Sequence, residues 1–244
     1  MLSLHDEVLN SILNRKSIRK FTDQPVTKER IEKIVRAGQS APTGSGQQAY
    51  SFILISDNEK KRQIIQAIGS QQFMDEAPIW LVICIDWMRF HMFCDAVELD
   101  IEISKVTRLY RGIMDTMLAA ENMVIAAEAM GLGTVFNGGV GLQAKKLVEI
   151  LKLPEKVFPV IMLCIGYPIE THAQRPRWPI DVVLHENEYK MPSKQSIKNY
   201  NDRLLQEHGR ASTWVNSWKR RFSKSLAEKT ETELKDQLKE LKFI

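Results

Sequence analysis

The run Arg15-Lys16-Ser17-Ile18-Arg19 packs three cations and a hydroxyl into five residues. If extended, its two-residue period puts Arg15, Ser17 and Arg19 on one face. Two guanidiniums flanking a hydroxyl suit a phosphate with neighbouring hydroxyls or carbonyls, since the arginine fork pairs with such oxygens two at a time. Far downstream, Arg175 and Arg177 bracket Pro176 and could close on the same anion. A second group is the string from Gly131 to Gly141, with glycines at 131, 133, 138, 139 and 141. That many residues without side chains suggest a backbone approached closely by a planar ligand or another chain. Inside it, Gly139-Val140-Gly141-Leu142-Gln143-Ala144 formally matches the GxGxxA dinucleotide fingerprint. No acidic residue closes the next strand at the spacing of about 20 residues that the fingerprint requires.

Other chemistries lack their residues. Gly44-Ser45-Gly46 has the wrong spacing for a GxSxG nucleophile elbow. No GxxxxGK[ST] phosphate loop occurs. His91 and Cys94 stand three apart on a helical stretch, but no second pair of metal ligands accompanies them. Glu98 and Glu102 read as a solvated face. Cys84, Cys94 and Cys164 are the only cysteines and show no CxxC spacing. A disulfide framework, a cysteine-built zinc site and an iron–sulfur cluster are therefore excluded, and a reducing, cytoplasmic setting fits.

These groups need a scaffold. The 244 residues correspond to roughly 1.6 domains on length alone. Apolar residues make up 44% and charged residues 26%, which is globular composition rather than disorder. No apolar run reaches the roughly 18 residues of a membrane span, and the first twenty residues lack a signal-peptide core. The net charge of +4 is uneven: Lys190 to Ile244 holds 13 basic and 7 acidic residues. A basic tail can meet nucleic acid, a phosphorylated ligand or an acidic partner. Glu228, Glu231, Glu233 and Asp236 interrupt it, which argues against nucleic acid and for a solvated helix.

The periodicity predicts a helix over residues 4–13 and an irregular or extended RKSIRKF. A helix capped by Thr27 follows, with Ile31, Ile34 and Val35 on its apolar face, ending near Ala41-Pro42. Tyr50 to Ser56 reads as a strand and is followed by a charged helix to about Ile68. Ile79 to Asp86 reads as a strand covered on both faces. A helical region from Met88 to Leu109 comes next, then an apolar helix from Met114 to Met130 ended by Gly131. Leu132–Asn137 and Val157–Ile165 are further strands, with a helix over Ala144–Leu151 between them. Asp181 to Glu186 reads as one more strand before the basic helical tail. Alternating helices and strands give an α/β or α+β layered domain. The boundaries expected are a main domain over 1–180 and an extension over 181–244.

The strings ILNRKSIRKFTDQPV, APTGSGQQAYSF, AAENMVIAAEAMGLGTVFNGGV, KLPEKVFPVIMLCIGYP and QRPRWPIDVVLHENEY run in one order that resembles the nitroreductase family. The likeness is to its longer, NADPH-preferring flavin reductase branch. It implies an α+β fold with a central mixed sheet flanked by helices, and a C-terminal extension wrapping the partner of an intertwined homodimer. It also implies FMN held without covalent linkage, NADPH as co-substrate, and two-electron, ping-pong reduction of nitroaromatics, quinones or free flavin.

Carried over residue by residue, the resemblance places Arg15, Lys16, Ser17 and Arg19 at the phosphate, ribityl chain and pyrimidine edge of FMN. Arg175 and Arg177 complete the phosphate cage. Thr43 with the Gln47 and Gln48 loop comes across the dimer interface. Gln71, Gln72 and Phe73 meet the polar rim. Asn137, Gly138, Gly139 and Val140 form the loop facing the ring, with an N–H for flavin N5. Arg210 is the candidate for the NADPH 2′-phosphate, with Lys219 and Arg220 as substitutes. No side-chain acid, base or nucleophile is then required. Two departures stand out. Thr43-Gly44-Ser45-Gly46 replaces a frequent run of serines, and Asn137 occupies a place that is often apolar. The alternatives are a conventional NAD(P)-binding dehydrogenase using the Gly139 motif and a flavin-binding protein without turnover.

Overall fold

Strands β1 (Tyr50–Ile55), β2 (Ile79–Asp86), β3 (Gly133–Asn137) and β4 (Val157–Gly166) form one sheet in the order β1-β2-β4-β3. Every neighbouring pair is antiparallel. A parallel element enters where Ser17 bridges Thr134 on the outer side of β3. The structure is a computed structural model that describes residues 4–69, 72–169, 174–208, 218–219 and 222–243. They divide into two compact units, Met1–Thr171 with Glu233–Ile244, and His172–Thr232.

The sheet is buried on both faces because its central strands are apolar at odd and even positions alike. Trp80, Val82 and Cys84 of β2 and Met162 and Cys164 of β4 point to one side, into a core shared with Ile64 and Leu147. Those two belong to α3 (Asn58–Ile68) and α8 (Ala144–Leu151). Leu81, Ile83, Leu163 and Ile165 point to the other side, where Ile34, Ala120, Met123, Val124 and Ala127 meet them. These come from α2 (Lys28–Gln39) and α6 (Lys105–Ala129). Each Val, Leu, Ile or Met side chain among them contributes about 1.5–3 kcal/mol on burial, so the two layers and the sheet form together.

Thr27 caps α2 as its sequence position predicts, its side chain accepting the Arg30 N–H at 3.4 Å. The long region expected to be helical from Met88 to Leu109 is broken. Helix α5 (Met88–Ala96) closes with the Leu99 N–H on the Cys94 carbonyl, and Glu98 lies in the left-handed region at φ 54°. Ser104 then caps α6 through the Thr107 N–H, so α6 starts nine residues before the expected Met114. The strand expected at Asp181 to Glu186 is also absent. Ile180–Val183 is instead a short helix after Pro179, whose fixed φ suits a helix start. Among the described residues no helix is long and apolar enough to cross a membrane.

Two glycines let α6 sit deep. A Cβ on Gly38 would lie 2.6 Å from Met123 Cγ, so α2 and α6 approach closely there. A Cβ on Gly112 would collide with Ile85 Cγ2 of β2. Gly112→Ala should cost about 1–3 kcal/mol by overpacking. Ile85→Ala in the same chain should recover part of that loss, read as urea-unfolding free energies of the two single variants and the double. Strict additivity would show that the contact is not the cause.

Candidate functional site

After α1 (Leu4–Asn14), the basic run is extended and sewn to the sheet edge. The Ile18 N–H donates to the Thr134 carbonyl at 2.8 Å, Phe21 bridges Pro168, and the Thr22 N–H donates to the Tyr167 carbonyl at 2.8 Å. Ile18 and Phe21 are buried. Ile18 fills the space that a side chain at residue 133 would need, since a Cβ on Gly133 would lie 2.7 Å from Ile18 Cγ1. Lys16 and Ser17 are half-buried and Arg19 is exposed, one Arg19 N–H donating to the Ser17 carbonyl at 3.4 Å.

Arg15 differs from its neighbours. Its Nη2 lies 3.6 Å from Glu128 Oε1 and its Nε 4.0 Å from Glu121 Oε1, both carboxylates of α6. Glu128 also accepts the Thr134 hydroxyl at 2.8 Å. Arg15 thus ties the N-terminal run to α6 and β3 rather than simply presenting a guanidinium to a phosphate.

From Thr134, β3 leads in three residues to Asn137 and the glycine loop. Asn137 is 2% exposed, its Oδ1 accepts the Gly139 N–H at 2.8 Å and its Nδ2 donates to Met74 Sδ at 3.2 Å. The side chain expected beside the ligand is therefore turned inward, and the Gly139 N–H is committed to it. Phe73 is likewise buried in the core, so its side chain is turned away from the rim contact expected of it. Gly138 is exposed, with nothing within 4 Å of an added Cβ. A Cβ on Gly141 would lie 2.6 Å from the Val160 carbonyl oxygen, which holds α7 (Gly139–Leu142) against β4. Gln143 gives α8 no side-chain cap. Gln237 supplies one from the far end of the chain, accepting the Lys145 N–H at 3.0 Å and donating to the Leu142 carbonyl at 2.9 Å.

This geometry overturns the dehydrogenase alternative. A GxGxxA turn binds a dinucleotide between parallel strands of a βαβ unit. Here the motif leaves an edge strand antiparallel to its neighbour and opens a helix of only four residues.

The Thr43–Gln48 loop lies on another side of α6. Thr43 is half-buried, Gln48 is exposed, and Gln47 Oε1 accepts from Arg111 Nη1 at 3.4 Å. Asp115 of α6 accepts main-chain N–H groups at both ends of this loop. In the second unit, Arg175 and Arg177 are exposed while Pro176 between them is buried. Trp178 stacks on Tyr200 at 3.7 Å, and the Tyr200 hydroxyl donates to the Pro176 carbonyl at 3.5 Å. Gln71, Arg210 and Arg220 lie outside the described residues, as does the side chain of Gln72, and Lys219 is exposed.

Cys84 and Cys164 are poor nucleophiles. Burial pushes Cys164 up to about 12 and Cys84 higher still. Sequence reasoning missed Asp115, Glu121, Glu128 and Gln237. Asp115 and Glu128 had a readable signal, being acids within an otherwise apolar helix, where a polar group must find a partner. Gln237 had none.

The donor set fits the phosphate and polyol of FMN. Lys16, Ser17 and Arg19 offer two cations and a hydroxyl on one short extended run, and Gly138 offers a main-chain surface without a side chain.

Comparison with known proteins agrees. Residues 12–167 match the model of the nitroreductase family, and residues 175–244 match that of the nitroreductase family C-terminal domain. The chain is 34% identical over 246 residues to the FMN reductase (NADPH) of Bacillus subtilis (strain 168), covering 98% of each. It is 31% identical to the oxygen-insensitive NADPH nitroreductase of Salmonella typhimurium, covering 87% of this chain and 90% of that one. Its fold superposes on the NADPH:FMN oxidoreductase of Vibrio harveyi complexed with NAD+, with a TM-score of 0.77 at 33% identity. That match covers 83% of this chain and 86% of the other.

Burial pushes Glu128 above its ordinary 4.5, and the Thr134 hydroxyl and Arg15 offset this only in part. Between 4.5 and the raised value the folded chain holds the proton more tightly than the unfolded one. The contribution of Glu128 to stability therefore falls as pH rises through that window. Glu128→Gln should remove this dependence, so wild type loses ground to the variant as pH rises above 4.5 in urea unfolding. A pH-independent gap between the two would contradict the assignment.

Proposed function

Because the chain belongs to the nitroreductase family, we propose that it is an FMN-dependent oxidoreductase. It takes hydride from NADPH and delivers two electrons to nitroaromatics, quinones or free flavin. The reading rests above all on the Lys16-Ser17-Ile18-Arg19 run stitched along β3 just ahead of the open Gly138. FMN, when bound, supplies the hydride chemistry, and the protein needs no acid, base or nucleophile of its own.

Lys16 and Ser17 hold phosphate and ribityl oxygens, and Arg175 and Arg177, which belong to the other unit, are assigned to the phosphate by the family likeness alone. Three charge-assisted bonds at about 1.5–3 kcal/mol each approach the roughly 8 kcal/mol of a micromolar complex. Arg19 supplies fixed positive charge for the pyrimidine edge, which favours negative charge there. Arg15 acts one step back, holding the run against Glu128 and Glu121. The main chain at Gly138 borders the ring, steadied from below by Asn137. Gln71, Gln72 and the main chain at Phe73 meet the polar rim, and Arg210 receives the NADPH 2′-phosphate, with Lys219 and Arg220 as substitutes.

The second copy is needed. Along α6, Val106, Tyr110, Ile113, Met114 and Leu118 are exposed at three-to-four spacing, and Val8, Leu9, Ile12 and Leu13 are exposed on α1, which packs beside it. A contiguous apolar face of this kind marks an interface. It supports a homodimer in which Thr43 and Gln48 of one copy reach the flavin of the other and the extension that starts at 181 packs on the partner, except for Glu233–Ile244, which belong to the chain's own body. Three free, buried cysteines fit a reducing cytoplasm.

The purified protein should carry flavin absorbance that NADPH bleaches anaerobically. Protein that stays colourless after incubation with FMN and gel filtration would end the reading. Flavin that binds but resists NADPH would mark a carrier without turnover. Arg19→Ala should raise the FMN dissociation constant at least roughly tenfold, as loss of one charge-assisted bond implies. Light scattering at micromolar concentration should give twice the chain mass, and a monomer mass would refute the dimer.

A further inference from the structure

The Thr43–Gln48 loop has a conformation that its own sequence does not favour. Ser45 and Gln48, neither of them glycine, lie in the left-handed region at φ 53° and 52°, and Gly46 lies there at φ 70°. Side-chain-bearing residues rarely adopt this region unless surrounding contacts impose it. Within the loop the main chain makes one short turn, the Gly46 N–H on the Thr43 carbonyl at 3.5 Å and the Gln47 N–H on the Gly44 carbonyl at 3.1 Å, and just beyond it the Tyr50 N–H meets the Gln48 carbonyl at 2.8 Å.

Arg89 of α5 donates to the Gln48 carbonyl at 2.9 Å, and α6 supplies the contacts at both ends of the loop. Asp115 is 2% exposed, and its two carboxylate oxygens divide their work. Oδ1 accepts the Gly44 N–H at 2.9 Å, and Oδ2 accepts the Ala49 N–H at 3.2 Å. Those amides stand at the two ends of the strained stretch, so one buried carboxylate closes the loop like a clasp. One turn earlier on α6, Arg111 reaches Gln47. An asparagine at 115 would keep the shape but turn an amide NH2 toward one of the two N–H groups, and the clasp would open at that end.

We propose that Asp115 is a positioning residue for flavin binding, setting the Thr43–Gln48 loop so that Thr43 and Gln48 meet the flavin. This deepens the FMN reading given above and rests on it. Asp115 does not touch the flavin; it fixes the geometry of the main chain that does. Because it sits on the same helix as the exposed apolar stripe, it also makes the loop's shape depend on how α6 is seated.

The test separates the clasp from the flavin reading. In flavin-free wild-type protein, hydrogen exchange should be slow at the amides of Gly44 and Ala49 and faster at Ser45. Equal, fast exchange at all three overturns the clasp whether or not FMN binds, and needs no variant to fold. Asp115→Asn should release the Gly44 and Ala49 amides and weaken FMN roughly tenfold by fluorescence titration. It should also change the visible circular dichroism of the bound flavin, with turnover recovering at saturating FMN. Released amides with unchanged FMN affinity and dichroism would overturn the positioning role. Turnover that stays low at saturating FMN, with an unaltered flavin spectrum, would reduce Asp115 to a structural part. A wild-type protein that binds no FMN would remove the reading beneath the proposal while leaving the exchange result intact.

Discussion

The close seating of α6 on the sheet is the constraint from which the arrangement follows. It depends on residue 112 having no side chain where β2 presents Ile85, and on residue 38 having none where α2 meets Met123. Once α6 lies that low, its buried face is a line of small and apolar residues, Ala119, Ala120, Val124 and Ala127 among them. The polar exceptions on the same helix cannot reach water cheaply and must find partners in the protein. Asp115 finds main-chain amides of one loop, Asn122 the Ala37 carbonyl, and Glu128 the Thr134 hydroxyl and Arg15. A helix whose apolar side drives folding thereby organises the polar surroundings of the site.

The same economy governs the glycine loop. Asn137 closes it from beneath, Val160 leaves room only for a glycine at 141, and Gln237 ties the α7–α8 junction. No single contact is strong, since neutral hydrogen bonds contribute about 0.5–1.5 kcal/mol each. Their value lies in giving a segment with little regular structure one position, which a planar ligand would otherwise have to enforce at the cost of its own affinity.

Much of this was legible in the residues themselves. The doubly apolar Ile79–Asp86 run predicts a strand covered on both sides, and Thr27 marks its helix start, because both signals are local. The bend between α5 and α6 escaped because Val97 to Ser104 contains neither glycine nor proline, and only the capping geometry of Ser104 reveals the restart. Asp181 to Glu186 looked like a strand from its β-branched residues, but a strand needs a neighbour to pair with, and among the described residues none adjoins it. For the site, the kinds of residue were readable while their commitments were not. Asn137 and Arg15 have the chemistry of ligand contacts, and both are held by groups distant in sequence that no spacing rule connects to them.

The contribution of Gln237, together with Leu238 and Phe243 in the core around Trp87 and Phe158, has a consequence for the order of folding. Gln237 meets partners 92 and 95 residues earlier in sequence, and contacts that distant form slowly, because the loop between them must close first. The α7–α8 junction therefore gains its cap late in folding, and a variant lacking Glu233–Ile244 would leave the core around Trp87 and Phe158 partly uncovered.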